Sequence, residues 1–258
     1  MITINFNKLH LKPGCRILDI GCGSGRHTGA VAKYKDVLVI GADINFDEVV
    51  ETKKRLIYQQ QLEGKNGLWG AFVADISLLP FPNHFFDLVI CSEILEHIAD
   101  HHAAIVEINR VLKPGRHLVV SVPRYFPERI CWAFSENYHT ATNGHIRIYK
   151  KKELVGLMES NGLKEWEFHY AHSLHTPYWW LKCLVGPTRD DSLPVNLYHR
   201  FLTWDIMKHP WISRFLDNLM NPLLGKSLVL YFRKTEERRL KNEDSRPKTE
   251  DRGLKTED

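Results

Sequence analysis

The sequence predicts an α/β fold, a mostly parallel sheet wound by helices on both faces, with a helical insertion late in the chain. Three observations predict it. Short apolar runs recur at 17–20, 37–42, 68–74, 85–91, 117–122, 163–170 and 227–232, and such runs bounded by turn residues are strand signals. Helix-spaced segments alternate with them at 26–35, 47–61, 101–112 and 151–159. A cluster of glycines follows the first run directly, where α/β sheets bring backbone up to a ligand.

The elements follow in order. Ile17-Leu18-Asp19-Ile20 is a buried strand running into Gly21, Gly23 and Gly25. The second run leads to a helix with apolar positions at Val49, Val50, Leu56 and Ile57. The fourth run is the most apolar. After it, Ala104, Ile105, Ile108, Val111 and Leu112 carry the period of a helix that Lys113-Pro114-Gly115 stops. His101 and His102 begin that helix and are expected in solvent. Asn161-Gly162 closes the helix at 151–159. Strands that alternate with helices imply parallel pairing through right-handed crossovers. Ligands of such sheets bind outside the carboxyl ends of the strands, so functional residues are expected just after strands one to four.

Residues 1–233 are read as one domain and 174–226 as an insertion between the sixth and seventh strands. About fifty structureless residues are improbable inside a compact domain. The insertion also holds Tyr178, Trp179, Trp180, Trp204 and Trp211, with helical spacing at Leu197, Phe201, Leu202, Phe215, Leu216, Leu219 and Met220. It is expected to be helical and to cover the site as an acceptor lid. From Lys234 the chain turns into seven-residue units, KTEERRL, KNEDSRP, KTEDRGL and KTED, with eight basic and eight acidic residues. With so little to bury, 234–258 is expected to be a disordered charged tail.

Composition excludes several classes. Apolar residues make up 43% of the 258, enough for a sizeable core. The formal net charge of +4 is too small to argue for nucleic acid without clustering. Cys15, Cys22, Cys91, Cys131 and Cys183 contain no C-x-x-C, so neither a zinc knuckle nor a disulfide framework is expected and a reduced, cytoplasmic setting is the default. No stretch approaches the roughly 20 apolar residues of a membrane span, and no signal peptide is visible at the start. Trp179-Trp180-Leu181-Lys182 is compatible with peripheral membrane contact.

The glycine loop reads Asp19-Ile20-Gly21-Cys22-Gly23-Ser24-Gly25. The dinucleotide fingerprint is G-x-G-x-x-G, whereas here Arg26 stands at its last glycine and an acid lies two residues before the first. A carboxylate there repels a pyrophosphate and suits a cationic ligand. The stretch LDIGCGSG resembles the first motif of class I S-adenosylmethionine-dependent methyltransferases of the small-molecule type, similar to quinone-pathway O- and C-methyltransferases. Asp43 in IGADIN, Asp75 in VADISLLPF, DLVICSEILEHI and RVLKPGRHLVVSVP continue the resemblance in order through Val122. It implies a Rossmann-like seven-stranded methyltransferase sheet and S-adenosyl-L-methionine as donor. It also implies donor binding by Asp19, Gly21, Cys22, Gly23, Gly25, Asp43, Ile44, Asp75, Ile76, Ser92 and Glu93, with Asp43 on the ribose hydroxyls, Asp75 on the adenine amino group and Ile76 stacking nearby.

A sulfonium donor is already activated, so catalysis leans on positioning and sequence says less about the acceptor. A small hydrophobic molecule is expected, with O-methylation favoured over C-methylation of a quinone or lipid-like precursor. His97 and His145 are the candidate bases. No metal is assigned, but Glu93-Ile94-Leu95-Glu96-His97 resembles a turn associated with a divalent ion in ubiquinone-pathway O-methyltransferases, which makes Glu93, Glu96 and His97 the candidate ligands. Cys91-Ser92-Glu93-Ile94 stands where nucleic-acid amino-methyltransferases carry an Asn/Asp-Pro-Pro-Tyr-like turn, so no nucleic-acid partner is expected. An RNA methyltransferase and a nicotinamide-dependent oxidoreductase are the weaker alternatives.

Overall fold

The computed structural model describes residues 1–64, 67–139, 144–189 and 191–236. Seven strands form one sheet: β1 (Arg16–Ile20), β2 (Leu38–Asp43), β3 (Leu68–Val73), β4 (Phe86–Ser92), β5 (Leu112–Pro123), β6 (Leu163–Ala171) and β7 (Ser227–Lys234). Their order is β3-β2-β1-β4-β5-β7-β6. The first five pair in parallel, and β7 runs antiparallel between β5 and β6. Helices α1 (Arg26–Val31), α2 (Phe46–Glu63), α3 (His101–Val111), α4 (Tyr125–Phe134), α5 (Glu136–His139) and α6 (Lys151–Glu159) connect them. Helices α7 (His175–Val185), α8 (Leu193–Lys208) and α9 (Trp211–Leu224) fill the span between β6 and β7.

The central strands are apolar on both sides because both faces are covered. Leu18, Ile20, Val89, Val120 and Leu230 belong to the core on one face, and Ile17, Val39, Ile90, Val119 and Tyr231 to the core on the other. Chain order reverses between β1 and β4, which opens the crevice outside their carboxyl ends. The helices start where capping chemistry allows. Asn45 accepts from Asp47 N at the head of α2, and Asp100 accepts from Ala103 N at the head of α3.

Most expected elements fall within a residue or two of their observed bounds, and four differences have physical causes. The first helix stops at Val31 rather than 35, with Ala32 closing onto Thr28 O. Lys113-Pro114-Gly115 terminates α3 but lies inside β5, because Leu112 already pairs with Phe86. His101 is not in solvent alone, since its Nδ1 meets the Tyr149 hydroxyl. Helices α4 and α5 had no sequence-based counterpart. At the other end, Lys234 belongs to β7, where its buried ammonium donates to the carbonyls of Asn109 and Leu112 at 2.6 and 2.9 Å. The expected tail therefore begins inside the sheet, and its residues 237–258 lie outside the described residues.

Candidate active site

Asp19 sits on the face of β1 that α1 covers, and its carboxylate accepts from Thr28 N and Thr28 Oγ1 at 2.8 and 2.6 Å. These bonds tie the strand to the helix on either side of the glycine loop. Burial pushes Asp19 up to about 6, against the pull of Thr28 and the nearby Arg26 charge. Gly21, Gly23 and Gly25 take φ of 68°, 50° and 75°, a region open to glycine at little cost. A Cβ on Gly21 would lie 2.2 Å from Ile94 Cδ1, so the loop's first glycine is set by contact with the β4 turn as well as by its backbone.

Asp43 closes β2 and holds this loop from the side. Its Oδ2 accepts from Gly23 N at 2.8 Å and its Oδ1 from Asn45 N at 2.9 Å. Carboxylate oxygens each accept more than one hydrogen bond, so both retain capacity for a ligand hydroxyl. Asp75 Oδ1 accepts from Ser77 N at 2.8 Å in the turn after β3.

A cavity of about 520 Å³ lies along this edge, lined by the anticipated Gly21, Asp43, Ile44, Asp75, Ile76, Glu93 and His97, and also by Ile94, Ile98, Gly144 and Ile146. Its size is that of a small-molecule site. A separate cavity of about 460 Å³ includes Cys15 and Asp87 at the opposite ends of β1 and β4, away from the glycine loop. Five of the anticipated donor-binding residues stay out of the lining: Gly23, Gly25 and three whose side chains are engaged elsewhere. The Cys22 thiol turns inward toward Thr52 Oγ1, 3.7 Å away, and burial beside Asp19 pushes it up to about 12, so it remains a neutral thiol. Ser92 spends its hydroxyl on Ser121 Oγ at 2.7 Å. Asp19 lies beneath the loop and shapes it.

The acceptor end is built on the β4 turn and on the segment before α6. Glu93 holds a left-handed φ of 58°, a conformation uncommon for a residue with a side chain and frequent at functional sites. Its Oε1 accepts from Ser121 Oγ at 3.0 Å. Glu96 is fully buried and neither carboxyl oxygen has a hydrogen-bond partner among the described residues. Burial, reinforced by the Glu93 charge, raises Glu96 well above the carboxylate range. His97 Nδ1 lies 3.3 Å from Gly144 O and its Nε2 lies 4.0 Å from Glu96 Oε1. The His145 ring meets His97 edge-on at 5.0 Å, and its Nδ1 lies 2.5 Å from Glu128 Oε1 on α4. Burial alone would raise Glu128, but the bond to His145 and its charge outweigh it and hold the carboxyl low. His97 is lowered by burial and by His145 beside it. Glu96, His97 and His145 offer three ligand atoms within 4.8 Å of one another. Two of the candidate ligands, Glu96 and His97, are in this group, and His145 joins them.

Sequence reasoning missed Glu128. Its signal was the one acid in the stretch Tyr125-Phe126-Pro127-Glu128-Arg129-Ile130-Cys131, apolar but for Glu128 and Arg129 and not read as a helix. The insertion reaches the site at one remove. Trp180 Nε1 donates to Pro127 O at 3.0 Å and Trp179 packs on Tyr138 at 5.8 Å, whereas none of the described residues of 174–226 lines the cavity itself.

Residues 18–120 match the methyltransferase domain family. Cycloartenol-C-24-methyltransferase 1 of Oryza sativa subsp. japonica is 30% identical over 158 residues, covering 61% of this chain and 41% of that protein. An O-methyltransferase of Pyrenophora dematioidea is 33% identical over 115 residues, 45% of this chain and 42% of its own. The chain thus spans about two fifths of the length of these relatives. The ubiquinone biosynthesis O-methyltransferase of Coxiella burnetii (strain RSA 331 / Henzerling II) is 29% identical over 157 residues, 58% of this chain and 64% of that protein. The fold is shared with an S-adenosylmethionine-dependent methyltransferase of Methanosarcina mazei, with a TM-score of 0.57 at 20% identity over 88% of this chain and 96% of that one. It is shared equally with the cyclase SpnF, with a TM-score of 0.58 at 20% identity over 90% and 78%. The match to a methyltransferase domain covers about two fifths of the chain and takes in the glycine loop and the first five strands.

Proposed function

We propose that this protein transfers a methyl group from S-adenosyl-L-methionine to a small hydrophobic acceptor, at oxygen in preference to carbon. The observation that carries the reading is a single cavity with Gly21, Asp43 and Asp75 at one end and Glu93 and His97 at the other. The bound donor supplies an electrophilic methyl group on a sulfonium. The chain's residues position, exclude water and move a proton. Asp43 and Asp75 bring carboxylates that suit ribose hydroxyls and an adenine amino group. Ile44, Ile76 and Ile98 supply apolar walls. The carboxyl groups of Asp19 and Glu93 flank the loop and suit a cationic ligand there. His97, kept neutral by burial and by His145, takes the acceptor's hydroxyl proton, and Glu128 holds the neighbouring His145 ring in place. Two relatives carry O-methyltransferase in their names and one carries sterol-type C-24 methylation, which supports a hydrophobic acceptor class and the preference for oxygen.

Calorimetry with S-adenosylhomocysteine tests the donor assignment. Micromolar binding is expected, weakened at least tenfold by Asp43→Asn. A folded chain that gives no heat with the thioether overturns it.

One observation favours a second reading, in which the acceptor is activated by a divalent ion. The carboxyl of Glu96 is buried without a hydrogen-bond partner and faces two imidazoles, each braced through Nδ1, His97 by a carbonyl and His145 by a carboxylate. Bracing of this kind orients metal-binding histidines. Glu96, His97 and His145 would hold the ion, which would lower the hydroxyl's pKa. Elemental analysis after incubation with zinc, manganese or magnesium and gel filtration decides it. Less than a tenth of an equivalent retained, or equal retention by Glu96→Gln, rejects the metal.

A further inference from the structure

Helix α9 is built inside out. Three of its polar residues, Ser213, Asp217 and Asn221, bond back to the protein. Ser213 is buried and its hydroxyl donates to Pro210 O at 3.0 Å. Asp217 Oδ1 accepts from Ser173 Oγ and Leu174 N at 2.9 and 3.0 Å, and Asn221 Oδ1 accepts from Ser173 N at 3.0 Å. The Arg124 guanidinium, stacked over Tyr170 at 3.9 Å, donates to the last carbonyls of the helix, at Pro222 and Leu223. The apolar residues face away. Trp211 is 77% exposed, Phe215 61%, Leu219 60% and Leu223 66%. A helix that docks on its own core shows the opposite arrangement.

Helix α8 repeats the pattern, with Leu193, Leu197, Trp204 and Met207 exposed along it. The charges are sorted by sign. Between 193 and 224 the acids are Asp205 and Asp217, and both are turned inward, Asp205 onto the Ser213 hydroxyl and Asp217 onto Ser173. The basic residues Arg200 and Lys208 are exposed, and Arg214 is partly so. The outward face is therefore apolar and cationic, without an exposed acid among these residues. A second copy of the same face would bring like charges together, whereas an anionic bilayer surface complements both properties.

The face also connects to the site. Rings follow one another from Trp204 to Phe201 at 6.1 Å, Tyr198 at 5.8 Å and Tyr178 at 6.2 Å. They continue through Trp179 and Tyr138 to His145 at 5.6, 5.8 and 6.3 Å. A continuous row of packed rings thus links the exposed helices to His145 at the acceptor end.

We infer that α8 and α9 dock on an anionic lipid surface and that the acceptor is a lipid-dissolved molecule reached from it. The docking stands independently of methyl transfer; only the acceptor class rests on that reading. Co-sedimentation of the full chain with large unilamellar vesicles tests the docking, and needs no donor. The chain is expected to pellet with vesicles of phosphatidylcholine containing 30% phosphatidylglycerol, and tenfold less with phosphatidylcholine alone. The double variant Phe215→Glu/Leu219→Glu is expected to lose at least tenfold in binding while keeping the parent's affinity for S-adenosylhomocysteine, which shows that it folds. Arg200→Glu/Lys208→Glu lowers binding to the anionic vesicles alone. A parent chain that stays in the supernatant overturns the inference, as does lipid binding unchanged by the Phe215/Leu219 variant. A parent that does not pellet but forms a dimer dissolved by that variant overturns it in favour of self-association.

Discussion

Replacing Asp19 with Asn should stabilise the protein at neutral pH and weaken it as a binder of the sulfonium donor. The carboxyl is raised from 3.8 to about 6 by burial. A carboxyl raised on folding contributes stability below its unfolded value, and that contribution is lost as pH climbs through the folded value. Two units at about 1.4 kcal/mol each amount to about 3 kcal/mol lost between pH 4 and 7. Asn is never ionised and its carbonyl can accept the same two Thr28 bonds. Allowing about 1 kcal/mol at every pH for an imperfect hydrogen-bonding fit of the amide, Asp19→Asn should gain about 2 kcal/mol at pH 7.5 and lose about 1 kcal/mol at pH 4. For a domain of this size that is a rise of about 4–8 °C in Tm. The assay is thermal unfolding of both proteins from pH 4 to 8, taken as a difference. The buried histidines His27, His172 and His175, held neutral at about 3, 3 and 4, destabilise both proteins alike in acid and cancel. Calorimetry should then show affinity for S-adenosylmethionine falling more than for its uncharged thioether product. A variant less stable than the parent at pH 7.5, or a difference curve flat between pH 4 and 7, refutes the reasoning.

Gly21→Ala should cost about 2 kcal/mol and weaken donor binding at least tenfold, because its Cβ meets Ile94 at 2.2 Å on a φ of 68°. Gly64→Ala, at φ 81° with open space around it, should cost about 1 kcal/mol and leave binding intact; chemical denaturation and calorimetry separate the two. Glu128→Gln should lower kcat roughly 10- to 100-fold with the donor Kd unchanged, and an unaltered kcat would show that the pair with His145 is only structural. Because burial and His145 lower His97, its neutral form persists below pH 6.5, so the acid limb of kcat should fall below that value. A limb at or above 6.5 in a pH–rate profile would remove His97 as the base.

How far the sequence is legible depends on what each residue reports. Strands such as 17–20 and 85–91 are readable because parallel strands buried on both faces are continuous apolar runs, and Ile17, Leu18 and Ile90 are indeed sealed. Asp43, Ile44, Asp75 and Ile76 are readable because the fold puts the ends of strands on one edge. Side-chain direction is not. Cys22 lies in the loop but points at Thr52, and Ser92 ends its strand but spends its hydroxyl on Ser121. Contacts between distant segments are also hidden. His145 and Glu128 are seventeen residues apart, and the helix that carries Glu128 went unread. The insertion is helical as its periodicity implies, yet periodicity does not say which face turns inward, and in α9 polar bonds to Ser173 and Arg124 decide against hydrophobicity.

The insertion leaves the sheet at Ala171 and returns at Ser227, and these two residues stand opposite each other in adjacent antiparallel strands. A tight turn of a few residues could join them with the ladder preserved. The donor edge, formed by β1 to β4, lies on the far side of β5 from that junction. The span between is therefore a cassette. It can be shortened, lengthened or exchanged for another without rebuilding the half of the molecule that carries the proposed donor site, and a chimera carrying a foreign span should take on that span's choice of acceptor while its donor affinity is unchanged.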